Sequence, residues 1–186
     1  MTAGLVLAAG AGRRYGMPKA LVRHAGRLLV ERAVDTLREA GSSPIVVVLG
    51  AAHDQVPELP GDVVINPDWA TGMASSLKAG LRALEATGAE AAVVLLVDMP
   101  GVSAEAVRRV SASASADALV MGGYGERRGH PVLLGRNHWA GVAATAEGDS
   151  GARNYLRAHA GLVRVVAVGD VSDDLDLDVP ELDTHA

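Results

Sequence analysis

The chain is 186 residues long, carries a net charge of −5 and contains neither cysteine nor phenylalanine. That length suits one domain with a sizeable core of Val, Leu and Ala. The acidic balance excludes wholesale nucleic-acid binding by a basic surface, and the absence of thiols excludes disulfides and thiolate metal sites.

The N-terminus lacks the basic start, apolar segment and cleavage site of a secretory signal. No apolar run reaches the ~18 residues of a membrane span, so a cytoplasmic protein without membrane or nucleic-acid partners is the expectation. The first predicted strand, Gly4–Ala8, stops at a loop holding Gly10, Gly12 and Gly16 together with Arg13, Arg14 and Lys19. Leu29–Ala40 then places Leu29, Val30, Ala33, Val34, Leu37 and Ala40 on one helical stripe, with Gly41 as the C-cap. Strands follow at Ile45–Leu49 and Val63–Ile65, and a second amphipathic helix at Met73–Ala86.

The strand Ala92–Val97 delivers Asp98 at its carboxyl end. Ser103 can cap a helix through about Val110, although Ala106 at N3 precludes a full capping box. Strands at Ala118–Met121 and Pro131–Leu134 precede a helix over Gly151–Ala160, capped by Asp149 or Ser150, and a last strand at Leu162–Val168. Most strands are continuous runs of Val, Leu and Ile, as in strands covered on both faces. The alternation predicts one α/β domain over residues 1–186 with a mostly parallel sheet, whose ligands collect at the carboxyl ends of the strands.

Charge is uneven along this framework. Residues 1–40 hold seven Lys or Arg against three acids, while residues 169–186 hold seven acids and no Lys or Arg. The acids are either a solvated tail or a set that faces the basic loop or a metal.

The glycine loop fits neither of two common phosphate sites. Gly16 is followed by Met17-Pro18-Lys19, which breaks the P-loop pattern, and Gly10-x-Gly12-x-x-x-Gly16 is one residue too long for a dinucleotide fingerprint. Pro18 also biases Met17 away from helix. A loop that wraps a nucleoside triphosphate remains, with backbone N–H groups and side-chain cations on the phosphates; the alternative is an exposed turn with incidental arginines. Only two of the 17 basic residues are lysines, Lys19 and Lys78, so a lysine inside this loop stands out.

The segment LAAGAGRRYGMPK, Leu7–Lys19, resembles the L-A-A/G-G-x-S/G-x-R-M/F-G-x-P/D-K signature of MobA-like nucleotidyltransferases, the molybdenum-cofactor cytidylyl- and guanylyltransferases. Four further segments resemble that family in order: NPDWATGMASSLKAGL (Asn66–Leu81), LLVDMPGV (Leu95–Val102), GHPVLLGR (Gly129–Arg136) and GDSGAR (Gly148–Arg153). Tyr15 replaces the usual Met or Phe, and the tail DLDVPEL, Asp176–Leu182, departs from the family ending at Val179 and Leu182.

The resemblance implies a three-layer, Rossmann-like nucleotidyltransferase fold and a Mg²⁺-dependent reaction. In it, the phosphate of a molybdopterin-type cofactor attacks the α-phosphorus of a nucleoside triphosphate and pyrophosphate leaves. Arg13, Lys19 and Asp98 would be the catalytic residues, with Asp98 as Mg²⁺ ligand rather than a turn carboxylate. Leu7, Ala8, Ala9, Gly10, Gly12, Asn66, Gly72, Ser75 and Ser76 would contact the nucleotide, the last three at a helix N-terminus that attracts phosphate or is simply capped. His130, Pro131 and Asp149 would meet the acceptor, and Asp149, Asp176 or Asp178 can supply a second metal ligand. A phosphate monoester is largely dianionic at neutral pH and needs no general base, so His130 reads as a binding or structural residue.

Family L-A-G-G sequences accompany GTP and L-A-A-G sequences CTP, so Ala8-Ala9-Gly10 implies CTP. Delivery to a xanthine-dehydrogenase-type enzyme is also implied. GTP, another small phosphate acceptor, or a nucleotide-binding accessory role without turnover are the alternatives.

Overall fold

The computed structural model describes residues 1–178 and Pro180. The elements run β1 (Thr2–Ala8), β2 (Arg23–His24), β3 (Arg27–Leu28), α1 (Leu29–Glu39), β4 (Ile45–Leu49), β5 (Asp62–Ile65), α2 (Met73–Glu85), β6 (Ala91–Leu96), α3 (Ala104–Ser111), β7 (Leu119–Tyr124), β8 (Arg127–Gly135), α4 (Arg136–Thr145), α5 (Arg153–Ala158) and β9 (Val163–Ala167). Seven strands form one sheet in the order β5-β4-β1-β6-β8-β7-β9, and β2 and β3 make a separate small hairpin. Within the large sheet only β8 runs against its neighbours; every other pairing is parallel. The mostly parallel sheet expected from the sequence is therefore present.

Strand side chains alternate between two cores because successive Cβ atoms point to opposite faces. Val6, Val47, Val93 and Leu95 pack on one side with Val30, Val34 and Leu37 of α1 and Val107 and Val110 of α3. Leu5, Val46, Val48 and Val94 pack on the other with Leu77, Leu81 and Leu84 of α2, Trp139 and Val142 of α4 and Leu156 of α5. Helices on both faces make three layers around the sheet, a single α/β domain. The edge strands β5 and β9 leave Val63, Ile65 and Val165 exposed.

Local signals behave as their chemistry requires at two helix ends. Gly41 follows α1 with φ +84°, and Ser103 Oγ accepts from Ala106 N at 3.1 Å at the start of α3. The segment before α5 departs from expectation. Helix α5 begins only at Arg153 and has no side-chain cap; Ser150 Oγ donates to Glu147 O instead, and Asp149 serves another helix. Helix α4 was not expected from the sequence. It buries only Trp139 and Val142, and its Gly141 gives room to the ring of Tyr155.

Candidate active site

The glycine loop leaves β1 at the carboxyl edge of the sheet, between the ends of β4 and β6. Gly12 adopts φ +61°, and a Cβ there would collide with Met17 O, so the close return of the loop onto itself requires glycine. Gly16 N donates to Gly12 O at 2.8 Å and holds that return. Among the described residues, the N–H groups of Gly10 through Arg14 have no backbone or side-chain acceptor. They stand beside a cleft of about 690 Å³ lined by Leu7, Ala9, Gly10, Gly12, Arg13, Arg14, Lys19, Gly72, Ser76, Asp98 and Asp149, and also by Trp69 and Thr71. Free N–H groups beside guanidinium and ammonium groups form a receptacle for a polyanion.

Lys19 follows Pro18 in a single helical turn, Lys19–Leu21. Its Nζ donates to Asp98 Oδ2 at 2.9 Å and to Asp178 Oδ1 at 3.2 Å. Asp178 Oδ2 also lies 3.5 Å from the Arg14 guanidinium. Burial draws the Lys19 pKa down, but hydrogen bonds and charge from Asp98 and then Asp178 outweigh it, leaving the ammonium above the ordinary lysine value. Asp176 is raised by burial and by the negative charges of Asp98 and Asp178. The acidic tail thus faces the basic loop, with Leu177 N donating to Asp98 O at 2.9 Å to hold it there.

Three carboxylates, Asp98, Asp176 and Asp178, converge around one ammonium. No group of three or more His, Asp or Glu poised to hold a metal ion by themselves occurs among the described residues. Mg²⁺ takes only one or two carboxylates, completing its shell with water and phosphate oxygens, so this donor set fits the ion. Asp98 with either tail carboxylate is the pair that can hold it. Asp149 is otherwise engaged.

At the start of α2, where the sequence allowed either a phosphate site or a capped helix end, the N–H groups are engaged. Met73 N donates to Asp149 Oδ1 at 3.1 Å, Ala74 N to Gly148 O at 2.9 Å and Ser75 N to Gly72 O at 3.3 Å. The GDSGAR segment therefore supplies the anion that the helix N-terminus attracts. Gly72, at φ +119°, permits this approach, since a Cβ would strike Gly148 O.

Asn66, Ser75, Ala8 and Pro131 do not line the clefts. Asn66 is buried and donates to Ser75 Oγ at 2.8 Å and Ser76 Oγ at 3.0 Å, while its Oδ1 accepts from Asp68 N at 2.9 Å. It braces the Trp69 loop against α2. Ala8 packs in the core beneath α1, its side chain turned away from the first cleft.

A second cleft, about 630 Å³, adjoins the first and shares Leu7, Met73, Leu96, Asp98, Arg153 and Asp176 with it. His130 lines it. Between Met121 and Gly122 the β7–β8 register jumps from Val132 to Gly129, leaving His130 and Pro131 as a bulge. Pro131 cannot donate to the ladder, which accounts for the interruption and for His130 being turned to the cleft. Burial pulls the His130 pKa down to about 4, against weaker opposing charges on Asp98 and Asp174. The ring is neutral at pH 7 and can accept or donate one hydrogen bond at each nitrogen. The clefts also contain Thr71, Arg128 and Arg157, which carried no signal in the sequence, and Arg14, which the sequence offered only as a cation of the signature loop.

The chain matches the MobA-like NTP transferase domain family over residues 4–163. It is 38% identical over 190 residues to the nicotine blue oxidoreductase of Paenarthrobacter nicotinovorans, covering 96% of this chain and 92% of that protein. A probable molybdenum cofactor guanylyltransferase of Opitutus terrae is 39% identical over 102 residues, covering 55% of this chain and 50% of that protein. The crystal structure of a Mycobacterium tuberculosis Rv0371c homologue from Mycobacterium sp. strain JC1 superposes with TM-score 0.82 at 30% identity, covering 96% of this chain and 90% of the other. Rv0371c of M. tuberculosis H37Rv in complex with manganese gives TM-score 0.77 at 28% identity, over 94% of this chain and 92% of the other.

Proposed function

The chain belongs to the MobA-like NTP transferase family, and from that premise we propose that it transfers CMP from CTP to the phosphate of a molybdopterin-type cofactor, releasing pyrophosphate. The observation that carries this reading is the position of Lys19 and Asp98. They meet at 2.9 Å beside a loop of free N–H groups, and Asp98 lines both clefts. A triphosphate laid in the first cleft and an acceptor phosphate in the second would meet beside this pair.

In the reaction, an acceptor phosphate oxygen forms a bond to the α-phosphorus as the bond from that phosphorus to the bridging oxygen of pyrophosphate breaks. No proton need move, because the attacking phosphate is already a dianion. Arg13 and the N–H groups of Gly10 to Arg14 grip the β- and γ-phosphates, and Lys19 offsets charge developing at the transfer centre. Asp98 and a tail carboxylate would hold Mg²⁺, which would supply charge neutralisation to the triphosphate and the leaving pyrophosphate. A manganese complex of a relative supports a divalent site in this fold. His130, neutral, positions the acceptor by hydrogen bonding. Ala8-Ala9-Gly10 favours CTP over GTP by its resemblance to the cytidylyl signature, and a xanthine-dehydrogenase-type enzyme is the proposed recipient of the product.

Calorimetric titration of CTP, GTP, ATP and UTP with Mg²⁺, paired with pyrophosphate release in the presence and absence of molybdenum cofactor, tests this. CTP-selective binding with cofactor-dependent release is expected. Stronger GTP binding would reverse the nucleotide assignment, and binding without release would point to another acceptor or an accessory role. The similarity to nicotine blue oxidoreductase over 96% of the chain favours a second reading, reduction of an aromatic acceptor in the second cleft. Oxidation of NADH or NADPH dependent on an acceptor dye, without pyrophosphate release, would establish it; the loop spacing argues against a dinucleotide.

A further inference from the structure

Four arginines line the second cleft: Arg127, Arg128, Arg153 and Arg157. Arg127 is neutralised, its guanidinium donating to Asp174 Oδ1 at 3.1 Å. The other three have no ion-pair or hydrogen-bond partner among the described residues. Of the carboxylates lining the same cleft, Asp98 is paired with Lys19 and Asp174 with Arg127, which leaves Asp176 alone. Three unpaired guanidinium groups thus face one unpaired carboxylate. The same cleft is lined by the apolar side chains of Met73, Leu77, Leu96, Met121, Val132 and Leu156.

The cations are not equivalent in position. Arg153 lines both clefts and belongs beside the transfer centre, whereas Arg128 and Arg157 line the second cleft alone. Arg157 stands one helical turn, about 6 Å, beyond Arg153 along α5. Arg128 stands opposite Gly123, near the carboxyl end of β7. A cation is needed near Asp98 whatever the acceptor, because its phosphate must be brought to another anion. Cations that line the second cleft alone have no such duty.

We propose that Arg128 and Arg157 form a second anion subsite, and that the favoured acceptor has an apolar or flat heterocyclic body with one phosphate that reacts and a further negative group at its far end. The inference rests on the second cleft being the acceptor's. Guanidinium forks on the wall select such a ligand by paired hydrogen bonds and draw it in by charge. A simple sugar phosphate, neutral beyond its phosphate, leaves both arginines unused. Arg128 and Arg157 are specificity-determining residues in this scheme, outside the transfer chemistry itself.

The probe is 8-anilinonaphthalene-1-sulfonate, an apolar ring system with one anionic group, compared by fluorescence titration with uncharged N-phenyl-1-naphthylamine. Wild type, R128Q, R157Q, the double variant and R82Q, an exposed arginine outside both clefts, are titrated. Each single cleft variant should weaken sulfonate binding by about fivefold and the pair by more, with R82Q and the neutral amine unaffected. Equal sulfonate binding by wild type and the double variant, or no sulfonate binding by wild type, overturns the proposal. Pyrophosphate release with molybdenum cofactor is measured on the same set, where the acceptor KM should rise and the CTP KM should not. Release with an unchanged acceptor KM in R128Q and R157Q sinks the subsite alone. Arginine-dependent dye binding without release in any protein leaves the subsite standing and removes the transferase reading.

Discussion

Lys19 and Asp98 are joined by a 2.9 Å hydrogen bond across 79 residues of chain. Their strands, β1 and β6, are hydrogen-bonded neighbours in the sheet, so each loop begins where the other can reach it. Because both side chains are placed by the sheet, the pair is formed before any ligand arrives. Lys19→Ala and Asp98→Asn should each lower turnover by about 100-fold or more, as for loss of a preorganised charge contact. Steady-state assays of pyrophosphate release check this, and near-normal turnover in both variants would remove the proposed mechanism.

Asp178 occupies Lys19 and Arg14, two cations that the proposed triphosphate site also uses. In metal-free buffer Asp178→Asn should therefore bind CTP about threefold more tightly, a modest gain because the pair is half-exposed and screened. Calorimetry gives the result directly. Weaker binding by the variant would mean that the tail assists the nucleotide instead of competing with it.

The buried Asn66 joins two elements through three hydrogen bonds. Asn66→Ala strands Ser76 Oγ in the interior and should cost about 2 kcal/mol of stability. Thermal unfolding reads this as a lower Tm. Nucleotide preference should be unchanged, since Asn66 lies behind the cleft wall; a switch in preference would place it in contact with the base after all.

Gly12 sits at φ +61° with no room for a Cβ. Gly12→Ala must shift the loop and scatter its N–H donors, so CTP affinity should fall by about tenfold or more. The loop is exposed and carries little of the core, and Tm should remain close to wild type. Retained affinity would show that the side-chain cations alone hold the phosphates.

His130 carries a pKa of about 4 in the folded chain against an ordinary value of 6.5. Between those values the unfolded chain takes up a proton that the folded ring refuses, so unfolding is favoured as pH falls through that window. The contribution is present above about pH 6.5 and lost progressively toward pH 4. Tm should drop on acidification from pH 7 to pH 4.5 less steeply in His130→Gln than in wild type. The kcat profile should lack a limb near the ordinary imidazole value; such a limb would restore His130 as an acid–base group.

The parallel strands were legible because burial on both faces forces continuous apolar runs, as in Ile45–Leu49. The signature loop was legible because glycines and cations converge there; the charge asymmetry left open whether the tail Asp residues face it, and Asp178 does. Three things were hidden. Helix α4 has too little apolar face to announce itself. The role of Asp149 depends on packing between GDSGAR and α2, which no local spacing encodes. Arg128 and Arg157 acquire their place only when β8 and α5 close over the second cleft. The tail resemblance Asp176–Leu182 was legible only in part, and Val179, Glu181 and Leu182 lie outside the described residues.

Strand β8, reversed between β6 and β7, gives the sheet a seam. On one side lie β1, β4, β5 and α2 with the glycine loop; the seam strand itself carries Arg128, and β7, β9 and α5 with Arg157 lie on the other. Asp98, at the end of β6, the short tail, and the contact of Gly148 and Asp149 with the start of α2 bridge the two. If the proposed assignment of the clefts holds, acceptor chemistry can change on the far side while the glycine loop keeps its geometry. In engineering terms the molecule is a fixed handle with an interchangeable socket.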